Sequence, residues 1–456
     1  MVKCHKIGGC RVGLLTNKIK LKIEKLRSKL EHGSFGRNVL IMFLGTAIGQ
    51  VGPLLAAPIL TRLYSPEMFG LSGAFTSAVF VAAVIACLRY DMAITLARQE
   101  RDAANVIALC GLMLVLTTGV MTLVLLYFTP DRFAWADLGT MEPFRFLLPV
   151  GFFGIGAYQV LVNIATLHNN FKSIAQTKIY QGVTGPMSQI VMGFAQWGVT
   201  GLIIGVIIGQ TMGISQLFWR LVIKKSEYLR GISWSAIRAM AVRYRKFPLI
   251  SSWSELVSAI GSGAVPSIAL PILYDSTSAG YVFLTDRIIG RPLLMISTSI
   301  LQVYMGEVSK NLTSDAAAIK RRFLQLLKQQ TVVVALWLAI VNLLADLLFP
   351  VLFGSEWAAA VPYLNVLSIA LLPQLVNHAL IHTLHLLERQ GLSAAWEIGR
   401  LAAVTGALFI GPSLDWTALE ALLAYSICQA LAQIIHLLLM YRSIQRIQIQ
   451  SGGVGP

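Results

Sequence analysis

The sequence predicts an all-α integral membrane protein with about twelve transmembrane helices. Of the 456 residues, 56% are hydrophobic and only 13% are charged, and the mean hydropathy is +0.69. Soluble domains carry about 25% charged residues. Apolar runs interrupted by Pro and Gly recur along residues 38–441, and runs of about 20 residues cross the bilayer as helices. The third observation is that Lys and Arg are concentrated in alternate connections between these runs.

The predicted spans follow one another with short connections. They are residues 38–60, 69–88, 104–128, 144–166, 178–197, 200–222, 248–273, 279–305, 329–350, 360–386, 393–412 and 418–441.

The basic residues predict the orientation, because Lys and Arg are enriched in cytoplasmic segments. With the N- and C-termini in the cytoplasm, inner segments hold 31 of the 37 basic residues. The outer loops hold Arg62, Arg132 and Arg145, and the helices hold the other three. The net charge of +16 is thus explained by topology and by contact with the headgroups of membrane lipids, and no nucleic-acid partner is predicted.

The chain divides into two halves around a basic linker. We predict a cytoplasmic leader at 1–35, which is either an amphipathic helix on the membrane surface or a poorly ordered tail. The remaining predicted segments are a six-helix bundle at 36–222, a cytoplasmic linker at 223–247, a second six-helix bundle at 248–441 and a cytoplasmic tail at 442–456.

The two halves share a local signature. "GPLLAAPILTRLYSPEMFG" contains Pro53 and Pro58 and ends at Gly70, and "VPSIALPILYDSTSAG" contains Pro266 and Pro271 and ends at Gly280. Each stretch closes the first helix of its half and starts the next. Because each half has an even number of helices, both have the same orientation, which predicts a pseudo-two-fold axis along the membrane normal and a substrate site between the halves.

Enzyme classes are not indicated. The outer loops are short and no soluble domain is present. The sequence contains no phosphate-cradling Gly-x4-Gly-Lys loop, no dinucleotide fingerprint and no clustered Cys/His metal spacing. We therefore predict no catalytic residues, no cofactor and no metal. The five cysteines lie in the leader or within helices, so no structural disulfide is implied.

Charged residues interrupt the predicted span at 279–305. This span contains the stretch "YVFLTDRIIGRPLLMISTSILQVYM" at residues 281–305. A charged side chain at bilayer depth costs roughly 2.5–3.5 kcal/mol on insertion scales. Arg287 and Arg291 are four residues apart, which predicts a two-guanidinium face suited to phosphate oxygens; Pro292 is expected to loosen the helix there. The alternative is structural pairing of Asp286 with Arg287 and of Glu255 with Arg291.

Other polar residues in the helices are candidates for coupling, gating or a cavity wall. Glu397 and Arg400 fit an intrahelical ion pair, and Arg89 and Asp91 fit either a gate or simple interfacial charge. The coupling and gating candidates are Glu255, Asp286, His378, His382, Arg89, Asp91, Glu397 and Arg400. The candidates for the polar wall of a cavity are Gln374, His385, Gln429 and Gln433 in the second half, and Gln50, Gln159, Asn163 and Gln181 in the first.

The polar stripe formed by Gln374, His378, His382 and His385 has three interpretations. Its members could make interhelical hydrogen bonds. They could line a hydrated wall in which His378 or His382 titrates, with H⁺ or Na⁺ as the coupling ion. A paired-His metal site is the third alternative, although no third ligand has a fitting spacing.

Four segments resemble a known family. "LTRLYSPEMFG" (60–70), "RYDMAITLARQERDAANVIAL" (89–109), "TDRIIGRPLLMISTSILQVYMGEVS" (285–309) and "LFPVLFGSEWAAAVPYLNVLS" (348–368) are similar to segments of the Wzx-type polysaccharide flippases, which transport O-antigen or exopolysaccharide units. These belong to the multidrug/oligosaccharidyl-lipid/polysaccharide (MOP) exporter superfamily.

The resemblance implies a MATE-like fold of two bundles around a central cavity, alternating access, and a location in the bacterial inner membrane. It implies a substrate of undecaprenyl diphosphate bearing an oligosaccharide, moved from the cytoplasmic to the periplasmic leaflet, with Arg287 as a cavity cation. A polysaccharide polymerase and a chain-length regulator are the expected protein partners. The alternatives are a MATE-like drug or metabolite antiporter and a non-transporting membrane component of a polysaccharide synthesis complex.

Overall fold

All regular structure in the described part of the chain is helical. The computed structural model describes residues 34–97, 99–127, 143–223, 231–311, 316–387 and 389–452. Most of the predicted leader, the predicted outer loop near 129–143, the start of the predicted linker and the end of the predicted tail lie outside these residues.

The described residues of the first half contain eight α-helices. They are α1 (Ser34–Leu63), α2 (Pro66–Ala83), α3 (Asp91–Ile94), α4 (Glu100–Tyr127), α5 (Leu147–Leu167), α6 (Phe171–Phe194), α7 (Gly198–Thr211) and α8 (Ile214–Phe218), the last extended by a π-helical turn at Trp219–Ile223. A short surface helix, α9 (Trp234–Arg243), follows in the predicted linker.

The second half is interrupted more often. Its α-helices are α10 (Ser252–Ala259), α11 (Val265–Leu273), α12 (Ser276–Thr285), α13 (Arg291–Asn311), α14 (Ala316–Phe353), α15 (Ala360–His378), α16 (Thr383–Leu386), α17 (Gln390–Ile410) and α18 (Ala418–Gly452). Three π-helical turns, at Phe247–Ser251, Ile260–Ala264 and Asp286–Gly290, join or precede the shorter helices. Short 3₁₀ turns lie at Ser355–Trp357 and Gly411–Leu414.

Among the described residues, nine helices are long and apolar enough to cross a membrane. The predicted spans at 69–88, 178–197 and 248–273 are not among these nine, although each is largely helical. The count of twelve therefore stays a prediction, as do the boundaries of the two predicted bundles. Two starts need correction: the helix predicted at 178–197 begins seven residues earlier, at Phe171, and the helix predicted at 329–350 begins thirteen residues earlier, at Ala316.

The repeated signature places α2 and α12 in equivalent positions. Each helix starts with a side-chain cap after a short turn: Ser65 accepts from the amide of Met68 at 3.4 Å, and Asp275 accepts from the amide of Ser278 at 2.7 Å. Such caps satisfy amides that have no partner within the helix.

The two capped helices also pack against each other across the halves. A Cβ atom at Gly70 would overlap the carbonyl oxygen of Ser276, and one at Gly280 would overlap the carbonyl oxygen of Pro66. Each glycine thus faces the first turn of the other helix, which is the reciprocal contact that a pseudo-two-fold axis produces. Small residues allow this approach of two backbones, as in other membrane helix pairs.

Trp357 joins the halves near the same level. Its side chain is fully buried, and its Nε1 donates to the carbonyl oxygen of Thr61 at 3.0 Å. The ring packs edge-on against Phe69 of the first half at 5.0 Å and against Tyr281 of the second half at 6.0 Å between centroids. The predicted outer end of the interface is therefore tightly packed.

The close contact at Gly70 predicts that a methyl group added there destabilises the protein, whereas a methyl group added at an open position does not. We expect Gly70→Ala to destabilise the protein by about 1–3 kcal/mol, the usual cost of overpacking, because Ala cannot fit against Ser276. Gly119→Ala is the matched control, since no atom lies within 4 Å of the added Cβ in α4. Thermal unfolding in detergent measures the difference. An equal melting temperature for both variants would contradict the close approach.

Candidate functional site

A polar cavity lies between the two halves. It has a volume of about 170 Å³ and is lined by α1, α2, α6 and α7 of the first half and by residues 283–292 of the second. Its polar lining residues are Thr46, Gln50, Thr76, Lys178, Gln181, Gln189, Gln210, Arg287 and Arg291. No carboxylate is among the described lining residues. The cavity is therefore rich in amides and positively charged.

Arg287 reaches the first half from the π-helical turn at Asp286–Gly290. Its guanidinium donates to Oε1 of Gln189 at 3.4 Å. Among the described residues, no carboxylate lies within ion-pair distance of Arg287, so the predicted pairing with Asp286 is wrong. This guanidinium has only a weak, neutral partner and can bind an anion.

Arg291 is the residue that pairs with Asp286. Its Nε lies 3.2 Å from Oδ2 of Asp286, and the two side chains are 42% and 43% exposed. The alternative pairing drawn from the sequence, with Glu255 of the preceding helix, is wrong. Residues five apart face each other when the backbone takes the π-helical register, and the π-helical turn before Pro292 brings Asp286 beneath Arg291.

Glu255 instead forms an ion pair across the halves. Its Oε2 lies 3.5 Å from a guanidinium nitrogen of Arg89, with side-chain exposures of 49% for Glu255 and 12% for Arg89. Leu88 and Arg89 have positive φ angles of 48° and 61°, a conformation that costs non-glycine residues about 1–3 kcal/mol. The strained break after α2 thus directs Arg89 toward α10.

Asp91 does not pair with Arg89. Its Oδ2 accepts from Nδ2 of Asn163 at 3.0 Å, within the first half. Asn163 therefore lies outside the cavity, and Gln159 does not line it either. Of the four wall residues predicted in the first half, only Gln50 and Gln181 line the cavity.

The predicted polar stripe of the second half does not line the cavity. Nε2 of Gln429 donates to Oε1 of Gln374 at 3.3 Å, and Nε2 of His378 lies 3.1 Å from Oγ1 of Thr298. The stripe breaks after His378, where α15 ends. His382 and His385 follow, both with exposed side chains, and their ring centroids are 5.6 Å apart. In the described part of the chain, no group of three or more His, Cys, Asp or Glu side chains can hold a metal ion.

Gln433 belongs to a buried network that the sequence reasoning missed in part. Nδ2 of Asn377 donates to Gln433, and the amide of Asn377 lies 3.0 Å from Nδ1 of His436. The imidazole of His436 stacks on the indole of Trp396 at 3.8 Å. These contacts connect α15, α17 and α18, so Gln433 has interhelical hydrogen bonds rather than a place in the cavity wall.

Arg400 and Glu397 form the predicted intrahelical pair at 3.3 Å. Arg400 is buried and also donates to the carbonyl oxygen of Gly261 in a π-helical turn. Peptide carbonyls freed by such turns need other donors, and Arg400 supplies one. Arg400 and Glu397 therefore stabilise the interior of the second half, and neither is a lining residue of the cavity.

Lys178 is the cavity residue that the sequence prediction missed. Its Nζ donates to Oε1 of Gln181 at 3.3 Å and lies 5.0 Å from the ring centroid of Tyr158. The predicted span began at Lys178 and so placed this charge among the headgroups. An N-terminal cap was readable in the sequence: Asn170, whose Oδ1 accepts from the amide of Ser173 at 3.3 Å, marks a helix start before Phe171.

Comparisons with known proteins agree with this architecture. A family profile described as "Polysaccharide biosynthesis protein" matches residues 59–362. No curated protein sequence matches the chain. Among solved structures, an inward-facing multidrug resistance MATE family transporter of the MOP superfamily has a TM-score of 0.63 at 17% identity, over 88% of this chain and 95% of that one.

Two other solved structures have the same fold. The lipid II flippase MurJ, in an inward closed conformation, has a TM-score of 0.63 at 14% identity, over 89% of this chain and 87% of that one. A MOP superfamily transporter from Pyrococcus furiosus has a TM-score of 0.59 at 17% identity, over 90% and 96%. The predicted MATE-like fold is confirmed. The chain therefore belongs to the family of polysaccharide biosynthesis proteins and has the fold of the MOP superfamily.

Proposed function

We propose that the protein flips an undecaprenyl-diphosphate-linked oligosaccharide from the cytoplasmic to the periplasmic leaflet of the bacterial inner membrane by alternating access. The observation that carries this proposal is the cavity between the halves, in which Arg287 has no carboxylate partner among the described residues. Charge in an apolar setting is costly unless it is neutralised. An anionic substrate supplies that neutralisation.

The chemistry of the lining fits the two ends of such a substrate. Guanidinium groups bind phosphate oxygens with charge-assisted hydrogen bonds. The amides of Gln50, Gln181 and Gln210 line the same cavity and offer both donors and acceptors to sugar hydroxyls. A polyprenyl chain would stay in the lipid beside the bundles. This division assigns the charged headgroup to the cavity and the apolar chain to the membrane.

The alternatives are less well supported. Export of organic cations needs acidic groups, and the described lining contains none. A scaffold that does not transport a substrate does not require a charged cavity between its halves. Coupling to H⁺ or Na⁺, and association with a polysaccharide polymerase and a chain-length regulator, stay predictions.

Transport should depend on the two arginines. We expect Arg287→Gln with Arg291→Gln to slow flipping of a fluorescent undecaprenyl-diphosphate oligosaccharide in liposomes at least about tenfold, because two charge-assisted hydrogen bonds are worth about 1.5–3 kcal/mol each. The matched control is Arg238→Gln with Arg446→Gln, since both arginines are exposed and lie outside the cavity. Equal rates in both double variants would contradict the proposal.

Asp286 should compete with the substrate for Arg291. We expect Asp286→Asn to tighten binding of inorganic diphosphate about two- to fivefold, since partly exposed ion pairs contribute up to about 1 kcal/mol. Calorimetry on the detergent-solubilised protein measures this. Weaker binding in the variant would mean that Asp286 positions Arg291 for the anion instead of competing with it.

The Arg89–Glu255 pair should hold the predicted inner side closed, because it joins the halves at the end opposite Trp357. With Gln50→Cys in an otherwise cysteine-free protein, we expect Arg89→Glu to speed labelling by a maleimide added from the inner side up to about fivefold.

Adding Glu255→Arg to Arg89→Glu should restore the slow labelling, because the swapped charges attract again. Identical labelling rates in the single variant and in the protein with the native pair would rule out a role in closure.

A further inference from the structure

Lys178 has an environment suited to an anion of its own. Its Nζ is held by Oε1 of Gln181 and by the ring of Tyr158, and both are neutral partners. Among the described residues, no carboxylate lies within ion-pair distance of this ammonium group. Because Lys178 lines the cavity, a bound molecule can reach it.

Neighbouring residues hold Lys178 and its partner Gln181 in defined positions. Nε2 of Gln181 donates to the carbonyl oxygen of Gln210 at 2.9 Å, which fixes the amide so that its oxygen faces Lys178. On the other side, α1 packs so closely that a Cβ atom at Gly49 would collide with the carbonyl oxygen of Lys178. Neighbouring helices therefore hold both the backbone and the side chain of Lys178 in place.

Lys178 lies at a different depth from the arginines. Gln189, which Arg287 contacts, is eleven residues further along α6, or about 16 Å at a rise of about 1.5 Å per residue. Arg291 is held by Asp286 and lines the cavity together with Arg287. A diphosphate, whose two phosphorus atoms share one bridging oxygen, is too short to engage both levels at once.

We propose that Lys178 binds a carboxylate on the sugar part of the substrate, so that the transported repeat unit contains an acidic sugar. This inference rests on the proposed function. A diphosphate held at the level of Arg287 is too far along α6 from Lys178 to neutralise it, which leaves Lys178 as a cation without a counterion. A carboxylate on the oligosaccharide, attached beyond the diphosphate, supplies the missing charge at the required depth.

The test compares two synthetic polyprenyl-diphosphate trisaccharides that differ only in one sugar, glucuronic acid or glucose. Liposomes contain the full-length protein, Lys178→Met or Lys178→Arg. We expect the native protein to have a KM about tenfold lower for the acidic lipid, the size of effect expected from about 1.4 kcal/mol of binding. Lys178→Met should raise the KM for the acidic lipid much more than the KM for the neutral lipid and so remove this preference, and Lys178→Arg should keep it.

Two results would overturn the inference. One is a native protein without preference for the acidic lipid. The other is an equal rise in the KM for both lipids in Lys178→Met, which would mean that Lys178 binds the diphosphate. A melting temperature in detergent equal to that of the native protein shows that the variant is folded.

Failure of the proposed function gives a different result. If the native protein flips neither lipid, transport is contradicted, and binding of both lipids to the detergent-solubilised protein still tests the subsite. A preference for the acidic lipid that Lys178→Met removes supports the carboxylate site, and equal affinities refute it.

Discussion

The close approach of α2 and α12 is the contact on which the rest of the molecule depends. The two helices meet where a side chain at Gly70 or Gly280 would overlap the opposite backbone. The distance between the two helix axes is therefore tightly constrained. From this contact α12 continues into the π-helical turn that carries Arg287. The position of the cavity cation is thus set by a backbone contact on the predicted outer side, beside the buried Trp357.

The electrostatics of the cavity differ from those elsewhere in the helices. Arg400 has Glu397, Arg89 has Glu255 and Arg291 has Asp286, so these cations are largely neutralised within the protein. Arg287 and Lys178 are held only by amides and an aromatic ring. Since isolated charge in a low-dielectric setting is unfavourable, this contrast supports the proposal that Arg287 and Lys178 bind groups of the substrate.

Sequence reasoning predicted the fold better than the site. Composition and span length predict a helical membrane protein, and the paired Pro and Gly signature correctly matches α2 with α12. The Glu397–Arg400 pair was predicted correctly, whereas the partners suggested for Arg287 and Arg291 were wrong, because the π-helical turn that brings Asp286 to Arg291 has no signal in the sequence. Lys178 was missed because hydropathy placed the start of α6 too late. The stripe at His378 and His382 was read as continuous because a helix break after residue 378 leaves no Pro or Gly signal in the sequence.

The π-helical turn at Asp286–Gly290 amounts to one extra residue inserted into an otherwise α-helical rod. Deleting a residue there would return the segment to α-helical winding, and the helix beyond it would keep its direction because the turn already absorbs the extra residue. Asp286 and the second arginine would then be four residues apart, which is the spacing at which side chains meet on an α-helix. The ion pair would therefore survive a change in length that removes the π-helical turn.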